Sequence, residues 1–120
     1  MPTCKFHHTH LISADPEKTA QFYVKNFGAQ KGAPVKLPSG ISVPLVLSGS
    51  TILVGSPRTQ PPKYGLDHFG IATDDIEATV KELKAGGARF QTEITEIRPG
   101  TRIAFFYAPE DVLIELIEVK

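Results

Sequence analysis

Residues 8–19 read HTHLISADPEKT, and residues 68–79 read HFGIATDDIEAT. The two stretches lie 60 residues apart, half the length of this 120-residue chain, and they align without a gap. A histidine, an aspartate, a glutamate and a threonine recur at equivalent positions. A fixed internal period of this kind is typical of a repeated structural unit. We therefore predict that the chain contains two copies of one module.

Each copy of the repeat is predicted to begin with a strand that leads into a helix. Residues 6–13 and 66–73 are rich in β-forming residues. Each of these segments runs into an aspartate, Asp15 or Asp75, which is a favoured residue at the N-terminus of a helix. A glycine, which is typical of helix ends, follows each helical segment.

Three strand-like runs follow each helix, so each module has the order βαβββ. The predicted class is α+β, with two βαβββ modules that form an eight-stranded cup and carry their helices on the outside. We expect one domain over residues 1–120. The three predicted strands are 31–37, 41–48 and 51–56 in module one, and 89–97, 102–108 and 112–119 in module two. The predicted boundaries are 5–57 for module one, 57–63 for a proline-rich linker and 64–120 for module two.

The composition excludes several classes of function. Thirteen basic residues balance thirteen acidic ones. This argues against nucleic acid or a membrane surface as a partner, because proteins that bind either one carry an excess of basic residues. No apolar run approaches the roughly 20 residues that span a bilayer, and no signal peptide is predicted at the start of the chain. The single cysteine, Cys4, cannot form an intrachain disulfide. These features lead us to expect a cytoplasmic protein that binds a small molecule.

Three residues are candidates for a metal site: His8, His68 and Glu115. Side chains alternate between the two faces of a strand. Phe69 and Ile71 are large and apolar and should pack under the helix, so His68 should point into the cup, and His8 should do so by register. If Ile114 and Leu116 also pack under a helix, Glu115 points into the cup as well. Two imidazoles and a carboxylate on one concave surface would bind a divalent metal. From the residues alone a second interpretation stays open, because a strand histidine is more often a surface or hydrogen-bonded residue.

These stretches resemble the vicinal oxygen chelate superfamily, which includes glyoxalases, bleomycin resistance proteins and dioxygenases. Residues 8–23, HTHLISADPEKTAQFY, resemble the opening strand and helix of that family, and residues 67–75 resemble its second opening. Residues 103–116, IAFFYAPEDVLIEL, are similar to its closing strand. The resemblance covers nearly the whole chain and implies the glyoxalase/dioxygenase fold.

The resemblance implies that His8, His68 and Glu115 bind the metal, which would be Fe²⁺, Mn²⁺, Ni²⁺, Co²⁺ or Zn²⁺. A fourth ligand in the family often comes from the last strand of the first module. The matching position here is Gly55, and Leu53 shares its face; neither residue can bind a metal. This departs from the glyoxalase I and epimerase patterns and leaves two histidines and one glutamate.

Four further residues are candidates for roles beside the metal. His10 should face the cup next to His8, as a general acid/base, as a hydrogen-bond donor to substrate, or as part of the cup wall. Phe105 and Tyr107 are predicted to contact the substrate. Arg102 is a candidate for binding an anionic group on it.

The predicted function is that of a divalent-metal-dependent enzyme acting on a small substrate with vicinal oxygens. The family resemblance leaves glyoxalase-like lyase or isomerase chemistry open alongside dioxygenase chemistry. The alternatives are a metal-free, bleomycin-resistance-like binding protein and a thiol transferase of the fosfomycin-resistance type. We expect a homodimer, because an open cup of this size leaves apolar strand surface that needs cover.

Overall fold

The computed structural model describes residues 2–120, which form ten strands and two α-helices. A short 3-10 turn, Pro109–Asp111, precedes the last strand. The elements in chain order are β1 (Cys4–Ile12), α1 (Pro16–Phe27), β2 (Gln30–Lys31), β3 (Val35–Leu37), β4 (Gly40–Leu47), β5 (Ser50–Gly55), β6 (Gly65–Thr73), α2 (Ile76–Ala85), β7 (Arg89–Phe90), β8 (Thr95–Arg98), β9 (Thr101–Ala108) and β10 (Val112–Val119).

The predicted α+β class is confirmed, but the strand count differs from the prediction. The segments 31–37 and 89–97, each predicted as one strand, are each broken into shorter pieces. In the first segment, Pro34 has no backbone N–H to donate to a neighbouring strand. In the second, the N–H groups of Gln91 and Thr92 both donate to the carbonyl of Phe105, which interrupts the regular pairing.

The described chain divides into two compact units. The first unit is His8–Asp67, and the second combines residues 2–7 with His68–Lys120. Residues 2–7 belong with the second unit because they contact it: the Phe6 ring lies 6.0 Å from that of Phe69. The division of the chain into one domain with a linker at 57–63 stays a prediction.

The two units repeat the same strand arrangement. In the first unit β1 pairs in parallel with β5, β5 pairs antiparallel with β4, and β2 and β3 both pair with β4. In the second unit β6 pairs in parallel with β10, β10 pairs antiparallel with β9, and β7 and β8 both pair with β9. The internal repeat predicted from the sequence is therefore present in the topology.

The residues that recur in the sequence also make equivalent hydrogen bonds. Asp15 Oδ1 accepts from the backbone N–H of Lys18 at 3.2 Å, and Asp75 Oδ1 accepts from that of Ala78 at 3.0 Å. A hydroxyl pair joins each strand end to the helix that follows, at 2.7 Å in both units. These pairs are Ser13 with Thr19, and Thr73 with Thr79. The aspartate and threonine of the repeat thus start each helix and fix it to its strand.

Each unit has its own apolar core between its helix and its strands. Burying these side chains provides the main stabilising free energy of a fold of this size. None of the helices within residues 2–120 has the length and hydrophobicity needed to span a membrane. The buried core residues are Ala20, Ala29, Val43, Leu45 and Val54 in the first unit, and Ile76, Val80, Ala104, Phe106, Ile114 and Leu116 in the second.

Candidate functional site

In the second unit, strand alternation separates a helix-covered face from a polar one. Phe69 on β6 and Ile114 and Leu116 on β10 belong to the core under α2. His68 and Glu115 alternate with these residues, so they lie on the opposite face of the sheet. The orientation predicted for these two side chains from the sequence agrees with this arrangement.

On that face, buried His68 lies beside half-buried Glu115. The distance from His68 Nε2 to Glu115 Oε1 is 3.6 Å, and the two side chains are 1% and 13% exposed. The ring of Phe105 meets the imidazole edge-on, with 5.2 Å between ring centroids. An imidazole nitrogen and a carboxylate oxygen therefore sit side by side against an apolar wall, where electrostatic interactions are stronger than in water.

Tyr107 lies on the same face of β9 as Phe105, two residues further along. Its hydroxyl accepts a hydrogen bond from Gln91 Nε2 at 3.0 Å. The guanidinium carbon of Arg89 lies 4.7 Å from the centre of the tyrosine ring, within the range of a cation–π contact. The two contacts hold the phenol in place, and its own O–H remains a donor.

Arg102, predicted to contact the substrate, lies on the other face of β9. It alternates with Phe105 and shares the helix side with Ala104 and Phe106. Its Nε and Nη2 donate to Glu118 Oε1 at 3.0 and 2.9 Å. The placement gives Arg102 a structural partner, Glu118, on the face away from His68, and its contact with a substrate stays a prediction.

Glu118 was not singled out by the sequence analysis, although it is almost fully buried. Its other oxygen, Oε2, accepts from the backbone N–H of Ile76 at 2.9 Å, in the first turn of α2. Burial alone would raise the pKa of Glu118, but the Ile76 N–H and the Arg102 guanidinium together outweigh burial and lower that pKa. The hydrogen bond from Arg102 to Glu118 likewise raises the pKa of Arg102. The sequence does hold a sign of this role, because Glu118 has the same strand parity as the core residues Ile114 and Leu116.

In the first unit, His8 and His10 share one side of β1. Leu11 packs on the core of that unit, so His8, His10 and Ile12 lie on the opposite face. His8 is 3% exposed. The two imidazole centroids are 6.3 Å apart at an angle of 62°, and each ring offers a nitrogen within 4.8 Å of the other's. This spacing brings two nitrogen donors close together on one strand.

The donor types in the two units fit a divalent transition metal. Imidazole nitrogen and carboxylate oxygen are the ligands that Zn²⁺, Fe²⁺, Co²⁺ and Ni²⁺ take in proteins. In the second unit such a pair lies at 3.6 Å, with the imidazole buried and the carboxylate half-buried, and taking a carboxylate out of water is costly unless it is paired or binds a metal. Within the second unit, His68 and Glu115 are the residues that could hold such an ion.

Comparison with known proteins agrees with the fold and with the resemblance drawn from the sequence. The YwkD protein of Bacillus subtilis, which is uncharacterized, is 29% identical over 93% of this chain and 94% of its own length. The mitochondrial methylmalonyl-CoA epimerase of Homo sapiens is 32% identical over 93% of this chain and 72% of its own. The crystal structure of the hypothetical protein BH1468 from Bacillus halodurans matches with a TM-score of 0.82 at 22% identity, over 98% of this chain and 96% of that one. The model of the Glyoxalase/Bleomycin resistance protein/Dioxygenase superfamily matches residues 5–116, and this chain belongs to that superfamily.

Proposed function

We propose that the protein is a divalent-metal-dependent enzyme that moves a proton on a small substrate carrying two neighbouring oxygens. In this proposal His8, His68 and Glu115 bind the metal. The observation that carries it is the His68–Glu115 pair at 3.6 Å, with His68 buried and Glu115 half-buried, together with a buried histidine, His8, at the position that the repeat makes equivalent to His68.

The chemistry of such a site divides between the ion and the chain. A bound divalent ion acts as a Lewis acid that stabilises negative charge developing on substrate oxygens. Phe105 supplies an apolar surface beside His68, which excludes water and strengthens charge interactions there. The Tyr107 hydroxyl accepts from Gln91, so its proton is available to a substrate oxygen. His10 lies on the face of His8 and belongs to the same proposed site.

Proton transfer is the reaction type that the relatives favour over reaction with dioxygen. The human relative with 32% identity is named for epimerisation of methylmalonyl-CoA, and epimerisation removes and returns a proton at one carbon. We therefore take isomerase or lyase chemistry as the proposal for this chain, with methylmalonyl-CoA as the first substrate to test. A CoA ester of this kind carries the two carbonyl-type oxygens that a metal with open positions can hold.

The first experiment is metal analysis of protein purified without chelator, with the variants His8→Ala and Glu115→Ala. We expect near-stoichiometric metal in the wild type and its loss in both variants. His7→Ala is the matched control, because it removes a neighbouring imidazole on the other face of β1. Absence of bound metal, together with no thermal stabilisation by any of the five candidate ions, would overturn the proposal and favour a metal-free binding protein.

The reaction type is tested with the metal-loaded protein and methylmalonyl-CoA in heavy water. We expect deuterium to enter the substrate at the carbon between its two carbonyl groups, as detected by mass spectrometry. The Glu115→Ala variant should show no incorporation above the uncatalysed rate. Oxygen consumption without deuterium incorporation, by the ferrous protein with a catechol, would instead assign dioxygenase chemistry.

A further inference from the structure

In the first unit, the imidazole of His10 lies next to the backbone of Gly55. β1 and β5 run in parallel, with His10 opposite Leu53 and Ile12 opposite Gly55. A Cβ atom placed on Gly55 would lie 2.9 Å from His10 Nε2, closer than such atoms approach in proteins. The imidazole of His10 therefore occupies the space that a side chain at position 55 would need.

The requirement for glycine at position 55 is one of space. The backbone of Gly55 does not adopt the left-handed conformation, unlike that of Gly49 or Gly65, whose φ angles are +79° and +93°. An alanine would thus be accepted by the backbone and would collide with the imidazole instead. Because the colliding atom is at the end of a side chain, the imidazole would move and the strand would stay intact.

The imidazole of His10, for which Gly55 leaves space, lies next to that of His8. Both histidines lie on the same face of β1, with donor nitrogens within 4.8 Å of each other. Position 55 is also where the family resemblance led us to look for a fourth ligand, and glycine cannot provide one. We propose that His10 binds the metal directly as a fourth protein ligand. Its imidazole extends from β1 into the space that the missing side chain of Gly55 leaves open.

This inference rests on the proposed function, since it assigns a further ligand to the same ion. It changes the donor set to three imidazole nitrogens and one carboxylate oxygen, which suits Zn²⁺, Co²⁺, Ni²⁺ or Fe²⁺ and disfavours Mg²⁺ and Ca²⁺. Four protein ligands on a six-coordinate ion leave two positions, the number that two vicinal oxygens would occupy.

The test measures Co²⁺ affinity, by competition with a chelator, and the visible absorption spectrum of the Co²⁺ protein. The variants are His10→Ala, Gly55→Ala and the double variant, with Gly86→Ala as control because its added Cβ would make only ordinary contacts at 3.6 Å. We expect His10→Ala and Gly55→Ala each to weaken Co²⁺ binding by at least about tenfold and to change the spectrum. The double variant should bind no more weakly than His10→Ala, because the alanine at 55 acts only through His10.

Circular dichroism of Gly55→Ala, compared with the double variant, separates loss of folding from loss of the ligand. Unchanged Co²⁺ affinity and spectrum in His10→Ala, with binding lost in His8→Ala, would overturn the His10 assignment and leave the proposed function standing. If the His10→Ala variant keeps its Co²⁺ affinity and spectrum but turns over substrate more slowly, His10 acts as an acid/base group instead of a ligand. Full binding by His8→Ala and Glu115→Ala would overturn the proposed function itself. Additive losses in the double variant would refute the role given to Gly55.

Discussion

At the scale of single residues, Glu118 is an acid that the second unit keeps ionised in a buried position. Its carboxylate joins β10 to the start of α2 through Ile76 and to β9 through Arg102. Its pKa is lowered because these donors outweigh burial. The stabilisation is therefore fully present above the unfolded-state pKa of about 4.3. It is lost as the pH falls from there through the lower folded-state pKa.

We expect Glu118→Gln to lower the free energy of unfolding by about 2 kcal/mol at pH 7, since hydrogen bonds to a charged group are lost. The difference from the wild type should shrink as the pH falls below about 4. Urea unfolding at several pH values measures both effects. Glu96→Gln is the control, because Glu96 is exposed on β8. A loss that is the same at pH 7 and pH 3.5 would contradict this account.

The sequence predicted the orientation of Glu115 but not the role of Glu118. The first depends on neighbouring residues, and the second depends on residues far away in the chain. The face of Glu115 follows from its immediate neighbours Ile114 and Leu116, because alternation along a strand is local. The role of Glu118 depends on Arg102, 16 residues away, and on Ile76, 42 residues away. For the same reason Arg102 was predicted as a substrate contact, and its buried partner was found only in the structure.

At the scale of helices and strands, the repeat explains why both helices start where they do. Asp15 and Asp75 each accept from a backbone N–H of the first turn, and a hydroxyl pair at 2.7 Å fixes each helix to the preceding strand. The helices were predictable because this capping pattern lies within a few residues of sequence. The break within 89–97 was not, because it depends on pairing with β9, whereas the break within 31–37 has a local cause in Pro34.

Removing either cap should cost about the same stability. We expect Asp15→Ala and Asp75→Ala each to lower the free energy of unfolding by about 1 kcal/mol, since each leaves a helix N–H without its side-chain acceptor. Urea unfolding at neutral pH provides the measurement. Glu82→Ala, an exposed change in the middle of α2, serves as the control and should stay within about 0.5 kcal/mol of the wild type. Losses no larger than that of the control would mean that the caps are not needed.

At the scale of the whole molecule, the two units each have a complete apolar core, but the proposed ligands are divided between them. His8 and His10 belong to the first unit, and His68 and Glu115 to the second. A metal bound by all of them must stabilise both units against opening, because an ion that binds only the native state adds RT ln(1 + [L]/Kd) to its stability. A metal bound within one unit would stabilise that unit alone.

Hydrogen exchange followed by mass spectrometry distinguishes these cases. With Co²⁺ or Zn²⁺ at 100 times its Kd, linkage predicts about 2.7 kcal/mol of stabilisation, or roughly 100-fold slower exchange, for amides that exchange through opening of the site. We expect this protection in peptides from β5 of the first unit and from β10 of the second, and we expect Glu115→Ala to abolish it in both. Protection confined to β10 would place the ion on His68 and Glu115 alone. The repeat would then have supplied two matching scaffolds of which only one binds metal, and His8 would be a buried structural residue.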